Sequence, residues 1–362
     1  MKTQALTNPV VVVGTGRCGS TLISSILRLH QAVLSLSEFF VSLSPSAFPS
    51  HPVDAASFWS ILSTPRLKPI VMMRNGLTID EFLYRPGPHT RFNTETGIPA
   101  ICLTTLPHLT DDPDGLYEEI EVFVQAMRTN IVGEQYRQLF EWLKRRFGRT
   151  IWVERSGGSL RFVADLLTTF PEAQFVHIAR DGRECALSMS RHHAFRLAVI
   201  TAELRRWLGV DPYHSPVRPE GVKLPPDLDA LCPERFDVDV YHNYTIPIEH
   251  FGVLWSTQMI TGLRHLARVV PHRVLTIRYE DLIASPREEL RRLQEFVGFD
   301  ADEAWLDRAS GLVRRNPLHW PELPEPDRAR LELACRTGLR LLSESTRVVR
   351  PALTDSPVAV GG

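Results

Sequence analysis

The sequence predicts an α/β fold in which a central, largely parallel sheet carries helices on both faces. Three observations lead there. Five short apolar runs along the 362 residues each close in polar residues, amphipathic helical stretches fill the gaps between them, and the first run breaks into a glycine-rich turn. Residues 10–13 are all valine, a β-branched run of the kind expected for a strand buried on both faces, ending at Gly14. Residues 33–37 alternate, with Leu34 and Leu36 facing one way, and lead to Glu38. Residues 150–154, 174–179 and 274–278 complete the strands. Leu160, Val163, Leu166, Leu167 and Phe170 fall on one helical stripe, as do Leu290, Leu293, Phe296 and Val297. Ser285 is placed to cap the latter helix, with Pro286 at its first position and Glu288 completing a capping box. A further amphipathic helix is expected over residues 254–270.

Two stretches interrupt this alternation. Residues 39–149 open with Pro45, Pro49 and Pro52 and become helical over 116–147; residues 193–250 carry Pro212, Pro216, Pro219, Pro225 and Pro226. Segments this long inside a compact domain are functional lids or inserted subdomains. The expectation is a single domain over 1–350, with its core at 9–38, 150–191 and 253–299, inserts 39–149 and 193–250 building a pocket, and a disordered tail at 351–362.

Composition narrows the function. With 43% hydrophobic residues and 41 basic against 42 acidic side chains, the chain is neither disordered nor a polybasic nucleic-acid binder, so any anion site must be local. Cys18, Cys102, Cys185, Cys232 and Cys335 form no C-x-x-C pair, which suits neither a disulfide framework nor a zinc cage and points to a reducing compartment. The N-terminal residues lack a signal-peptide core, and no run approaches the ~20 apolar residues of a membrane span, so a cytoplasmic protein is expected.

In an open parallel sheet, ligands sit beyond the carboxyl ends of the strands. The first strand delivers Gly14-Thr15-Gly16-Arg17-Cys18-Gly19-Ser20-Thr21 there, the second Glu38, the third Glu154-Arg155, the fourth Arg180-Asp181 and the fifth Tyr279-Glu280. Three arginines beside a glycine-rich loop describe an anion pocket, because glycines let the backbone aim N–H groups at a phosphate where a helix begins. The loop resembles a P-loop, and with it the fold is of P-loop type, three-layered. It departs from the nucleoside triphosphatase pattern at Ser20, which stands where that pattern has lysine. A second anion site is expected from Arg180 with Ser188 and Arg191, which lie three apart on one helical face. The plainer alternatives are a tight turn that binds nothing and an Asp181 that simply caps a helix.

Two anion sites in this order resemble those of the sulfotransferases that use 3′-phosphoadenosine 5′-phosphosulfate, particularly the bacterial branch and the related tyrosylprotein enzymes. The matching pieces are GTGRCGSTLISSIL, the Glu38 of LSLSEFF, WVERSGG, FPEAQFVHIARDGRECALSMSR and VLTIRYEDLIASPREELRRLQEFVGF, about a quarter of the chain. The resemblance implies that Gly16, Arg17, Cys18, Gly19, Ser20 and Thr21 contact the 5′-phosphate and sulfonate. It implies further that Arg180 and Ser188, with Arg191, take the 3′-phosphate, and that Tyr279 lies at the nucleotide. Arg314, Arg315 and His319 are candidates for a closing C-terminal loop. Arg155 stands where many relatives have lysine, exchanging a point donor for a fork.

The implied reaction transfers a sulfuryl group to an alcohol or phenol and leaves 3′-phosphoadenosine 5′-phosphate. The transferred group carries a single charge, so no metal is expected. Arg17 and Arg155 would serve the developing charge and Glu38, twenty-one residues after Arg17, would be the base, with His108 and His30 as rivals. The acceptor is expected to be a sizeable, partly apolar or aromatic small molecule, its pocket drawing on Trp59, Tyr84, Trp207, Tyr213, Tyr241, Tyr244 and Trp255. A P-loop small-molecule kinase and a non-catalytic nucleotide-binding protein are the alternative functions.

Overall fold

Four consecutive valines leave no polar side chain to face solvent, and the strand they form, β1 (Val10–Gly14), accordingly lies at the middle of the sheet with every residue buried. The computed structural model describes residues 9–349 apart from 216, 220, 301 and 316; the tail expected at 351–362 and Pro216 lie outside the described residues. The other strands are β2 (Val33–Ser37), β3 (Ile151–Arg155), β4 (Gln174–Ala179) and β5 (Val274–Arg278). They form a five-stranded sheet in the order β2-β3-β1-β4-β5, and every pairing is parallel, as the alternation of strand and helix predicted. The chain leaves β1 towards β2 on one side, whereas β4 leads to β5 on the other. The crevice between the carboxyl ends of β1 and β4 is therefore the switch point where such sheets hold ligands.

Helix α1 (Ser20–Arg28) follows β1, and α2 (Phe39–Leu43) follows β2. The first insert is helical through most of its length, with α3 (Ala55–Ser63), α4 (Leu67–Arg74), α5 (Ala100–Leu109), α6 (Pro113–Gln125) and α7 (Val132–Arg146). After β3 come a 3-10 turn, Ser159–Phe162, and α8 (Val163–Thr169); after β4 come α9 (Gly182–Ser190) and α10 (His193–Leu208). The second insert adds α11 (Pro226–Asp229) and α12 (Val238–Asn243), and α13 (Ile248–Leu266) leads to β5. The rest comprises α14 (Tyr279–Ala284), α15 (Pro286–Val297), α16 (Glu303–Gly311) and α17 (Glu325–Val349).

Two expectations need correction. The helix placed at 254–270 starts earlier, at Ile248 after Pro247, and ends at Leu266, because the chain must turn through Pro271 into β5. The capping box at Ser285 does not form: no side-chain bond caps α15, and the Ser285 N–H is already spent on the Asp281 carbonyl at the end of α14 (2.8 Å).

The core positions the site. Phe39 and Phe40, both buried, pack edge-to-face against Tyr136 and Phe140 of α7, with centroids 4.9–6.3 Å apart, locking the first insert onto the sheet directly after Glu38. Burying each such ring contributes about 1.5–3 kcal/mol, enough to hold the strained backbone of the residue before them.

Candidate active site

The loop after β1 bends tightly. Gly16 (φ 80°) and Gly19 (φ 95°) take left-handed conformations, and a Cβ on Gly19 would stand 2.6 Å from the Tyr279 ring. Arg17, at φ 55°, adopts the same region without a glycine's freedom, at a cost of about 1–2 kcal/mol. Helix α1 begins at Ser20 with no side-chain cap and no acidic residue in its first turn, so its amides and the positive end of its dipole are left for an external anion. Cys18 turns inward: its side chain is 0% exposed, burial pushes its thiol pKa up, and it offers the cavity no side chain.

Arg180 and Ser188, singled out as a second anion site, come to this same loop. The Arg17 Nε–H donates to Ser188 Oγ (3.1 Å), and Arg180 Nη1 donates to the Arg17 carbonyl (3.3 Å) while its guanidinium stacks on Tyr279 at 4.6 Å. Arg17, Arg180 and Ser188 line a cavity of about 520 Å³ together with Gly16, Gly19, Ser20 and Thr21. Arg28, which the sequence reading passed over, lines it too. Asp181 does cap α9, accepting from the Arg183 N–H at 2.8 Å.

Other expected ligands fall elsewhere. Arg191 ends α9 exposed and outside the cavity lining, and Arg314 and Arg315 are likewise exposed and outside it. Tyr279 acts from beneath, packing Gly19 and Arg180. The His319 N–H is fixed to Glu184 (2.5 Å) and its ring pairs with Glu322 (3.6 Å). His30 is not a candidate base: its Nε2 meets the Asp300 carbonyl (2.7 Å), its Nδ1 accepts from Ala32 (3.2 Å), and its ring packs on Phe299. Glu154 points into the protein, 0% exposed, and burial pushes its carboxyl up to about 8.

Glu38 lies on the wall of the cavity. Its N–H extends the β2–β3 ladder to the Arg155 carbonyl (2.6 Å), and its left-handed φ of 57° turns the chain abruptly into α2. One carboxylate oxygen pairs with Arg155 Nη1, whose Nη2 also donates to Ser37 Oγ (3.0 Å); the other accepts from the Gly157 N–H (2.9 Å). Burial raises the Glu38 pKa and the Arg155 charge opposes the rise, leaving it above the ordinary 4.5. His108 also lines the cavity, but burial, with the charges of Arg28 and Arg155, lowers its pKa to about 4.

No sequence motif points to Glu81. It pairs with Arg17 Nη1 (3.6 Å) and with His192 Nε2 (3.2 Å) from the first insert, bridging it to the loop across 64 positions of chain. Burial alone would raise its pKa, but the hydrogen bond and charge of His192, together with Arg17, hold it at about 2. A second cavity of about 260 Å³ opens beyond it, walled by Met72, Ile79, Phe82, Ile98 and Leu103. Glu38, Glu81, Gly157 and Phe195 line both cavities. None of the seven aromatic residues expected to form an acceptor pocket lines either one. Tyr84, Tyr213, Tyr241 and Trp255 are buried packing residues, with the Tyr84 hydroxyl bonded to Asp114 (2.7 Å) and that of Tyr213 to the Leu231 carbonyl (2.8 Å).

Fold and site thus define a class: a parallel α/β protein with a P-loop-like glycine-rich loop that lacks the phosphate-binding lysine, beside an apolar chamber. Residues 234–303 match the family model described as the Sulfotransferase family. The matched segment contains β5, α14 and α15, and so the piece VLTIRYEDLIASPREELRRLQEFVGF that carries part of the resemblance, while the glycine-rich loop lies outside it. Among solved structures, the sulfotransferase domain from the curacin biosynthetic pathway is similar at 13% identity, with 94% of this chain and 98% of that one covered and a TM-score of 0.47. The sulfotransferase domain of the Synechococcus PCC 7002 olefin synthase is similar at 17% identity, with 94% and 96% covered and a TM-score of 0.42. Sulfotransferase STF9 from Mycobacterium avium is similar at 14% identity, with 95% and 77% covered and a TM-score of 0.41. No curated protein matches the chain. Among the described residues, no helix is long and apolar enough to cross a membrane.

Proposed function

We propose that the chain transfers a sulfuryl group from 3′-phosphoadenosine 5′-phosphosulfate to a hydroxyl of a small molecule, with Glu38 as the base. One observation carries this reading: Glu38 lines both the cationic cavity and the apolar one, as a base between donor and acceptor must, and of the two carboxylic acids that do so it is the one with a raised pKa, Glu81 being held at about 2. The donor set fits the nucleotide, since an uncapped helix start and the side chains of Arg17, Arg28, Arg155 and Arg180 converge on a cavity of about 520 Å³. Ser20 in place of lysine counts against a nucleoside triphosphate.

In this reading the acceptor oxygen attacks sulfur as the bond between sulfur and the bridging phosphate oxygen breaks, and its proton passes to Glu38. The α1 amides and Arg17 stabilise the charge left on the phosphate, giving 3′-phosphoadenosine 5′-phosphate. Glu81 holds Arg17 in position without competing for the proton, because its carboxyl stays ionised down to about pH 2. Protonating Glu38 weakens its pair with Arg155, whose Nε has no partner in the resting site, and so frees that guanidinium as the leaving group gains charge. The test is direct: 3′-phosphoadenosine 5′-phosphate should raise the melting temperature where Mg-ATP does not. Incubation with the sulfate donor and a panel of hydroxylated metabolites should give products heavier by one sulfuryl group. Stabilisation by Mg-ATP alone would overturn the reading in favour of a kinase.

A further inference from the structure

The second cavity is apolar over most of its wall, yet the cations Arg66, Lys68 and Arg161 line it. Lys68 opens α4 on one side, and Arg161 comes from the 3-10 turn after β3 on another. Among the described residues, neither has a carboxylate within 4.0 Å. Arg161 only stacks on Phe162 (4.5 Å), and Lys68 Nζ sits 5.4 Å over the Tyr213 ring. The acid nearest in effect to Lys68 is Asp211, already held by the His214 ring (2.8 Å) and the Tyr213 N–H (2.9 Å). The neighbouring Arg66 differs, since its guanidinium is spent on the Leu43 and Ile61 carbonyls (2.9 and 3.0 Å).

Two carboxylates, Glu38 and Glu81, line the same chamber, but Glu38 is engaged by Arg155 and the Gly157 N–H and Glu81 by Arg17 and His192, so neither is paired with Lys68 or Arg161, and cations left unpaired beside an apolar wall are costly to keep. Burial lowers the Lys68 pKa to about 8, with Asp211 compensating only in part and Arg161 adding to the fall; burial lowers the Arg161 pKa as well, with Glu38 compensating in part. Arg161 is nonetheless exposed, the combination expected of a guanidinium that looks into a concave space. Like charges converging on one chamber form a receptor for an anion that both can hold. Glu38 lines the same chamber, so a single molecule can meet all three side chains.

We propose that the acceptor is a hydroxycarboxylic acid with an apolar body, its carboxylate held between Lys68 and Arg161 and its hydroxyl presented to Glu38. The placing of the hydroxyl rests on the function proposed above; the carboxylate site does not. Titration calorimetry on the full chain, preloaded with 3′-phosphoadenosine 5′-phosphate, tests it with decanoate, 1-decanol and methyl decanoate. Decanoate should bind about tenfold or more tighter than either uncharged probe, since it alone can form charge-assisted hydrogen bonds with both cations. Lys68→Met and Arg161→Met should each erase that preference, Lys68→Arg should retain it, and nucleotide affinity should hold in all three. Equal binding of the three probes, or a carboxylate preference that survives both methionine variants, would overturn the proposal. The two readings fail separately. If decanoate is preferred but 10-hydroxydecanoate yields no sulfated product, the transferase reading falls and this site stands; if 1-decanol is sulfated as well as 10-hydroxydecanoate, the carboxylate site falls and the transferase stands.

Discussion

Glu38 shows how much one side chain can depend on its surroundings. Its left-handed backbone costs about 1–2 kcal/mol, yet that turn leaves the carboxylate on the cavity wall and sends Phe39 and Phe40 into the core. Three titratable groups there invite comparison as bases. Glu81 is held near pKa 2 and His108 near 4, whereas burial raises Glu38 above 4.5, making it the strongest proton acceptor of the three. Glu38→Gln is therefore expected to lower kcat by about 10²–10⁴-fold while leaving nucleotide affinity nearly intact. It should also lower stability by about 3 kcal/mol, because Arg155 is left buried without its anion. The sign of the pH dependence follows from the base acting as carboxylate. In the parent enzyme, kcat/KM should rise with pH through an inflection above 4.5, higher than an exposed glutamate would give, and a pH profile measured at saturating donor checks this. Glu38 was legible from its place after a strand and its spacing from Arg17. Its partner in the wall, Glu81, was not, because an ion pair closed across 64 positions leaves no local pattern.

At the scale of elements, β1, its loop and α1 form one device, and it was legible because backbone demands show in residue type. Valines specify the buried strand, and glycines mark the positions where φ must turn positive. The capping box at Ser285 failed for a reason of the same kind. Two helices abut there, and one N–H cannot serve both, which a motif taken alone does not reveal. The loop depends on close packing as well as on φ. Gly19→Ala would both strain a left-handed residue and drive a methyl group against the Tyr279 ring, 2.6 Å away, disturbing the base on which Arg180 is stacked. The expected outcome is a loss of about 1–3 kcal/mol in unfolding free energy, read from urea denaturation, with weaker binding of 3′-phosphoadenosine 5′-phosphate by calorimetry. Thr21→Ala, on the same helix but exposed, should leave stability nearly unchanged and serves as the control for the unfolding measurement.

Across the whole molecule, the sheet and its ligand edge could be read from sequence, whereas the chamber built by the inserts could not. A strand announces itself within a few residues, but this cavity wall draws three positions each from α4, α5 and α10, and the aromatic residues of the inserts misled because most large rings serve packing. Phe195 is the clearest case. It stands early in α10, lines both cavities, and lies so close to the loop that a Cβ on Gly16 would meet its ring at 2.4 Å. Under the proposed function that position would let the ring separate the nucleotide from the acceptor chamber, with Glu38 and Glu81 the polar side chains that line both cavities. If water reached the sulfonate, donor hydrolysis would compete with transfer, so the partition should depend on this ring. Phe195→Ala is expected to raise sulfate release in the absence of acceptor by roughly tenfold, equivalent to about 1.4 kcal/mol of barrier. Binding of 3′-phosphoadenosine 5′-phosphate should change far less, since the cationic donors keep their partners. Phe195→Leu, which keeps an apolar side chain in the gap, should recover most of the coupling. Parallel assays of inorganic sulfate and sulfated product distinguish a lost barrier from a merely destabilised enzyme: the former raises hydrolysis as transfer falls, whereas the latter lowers both together.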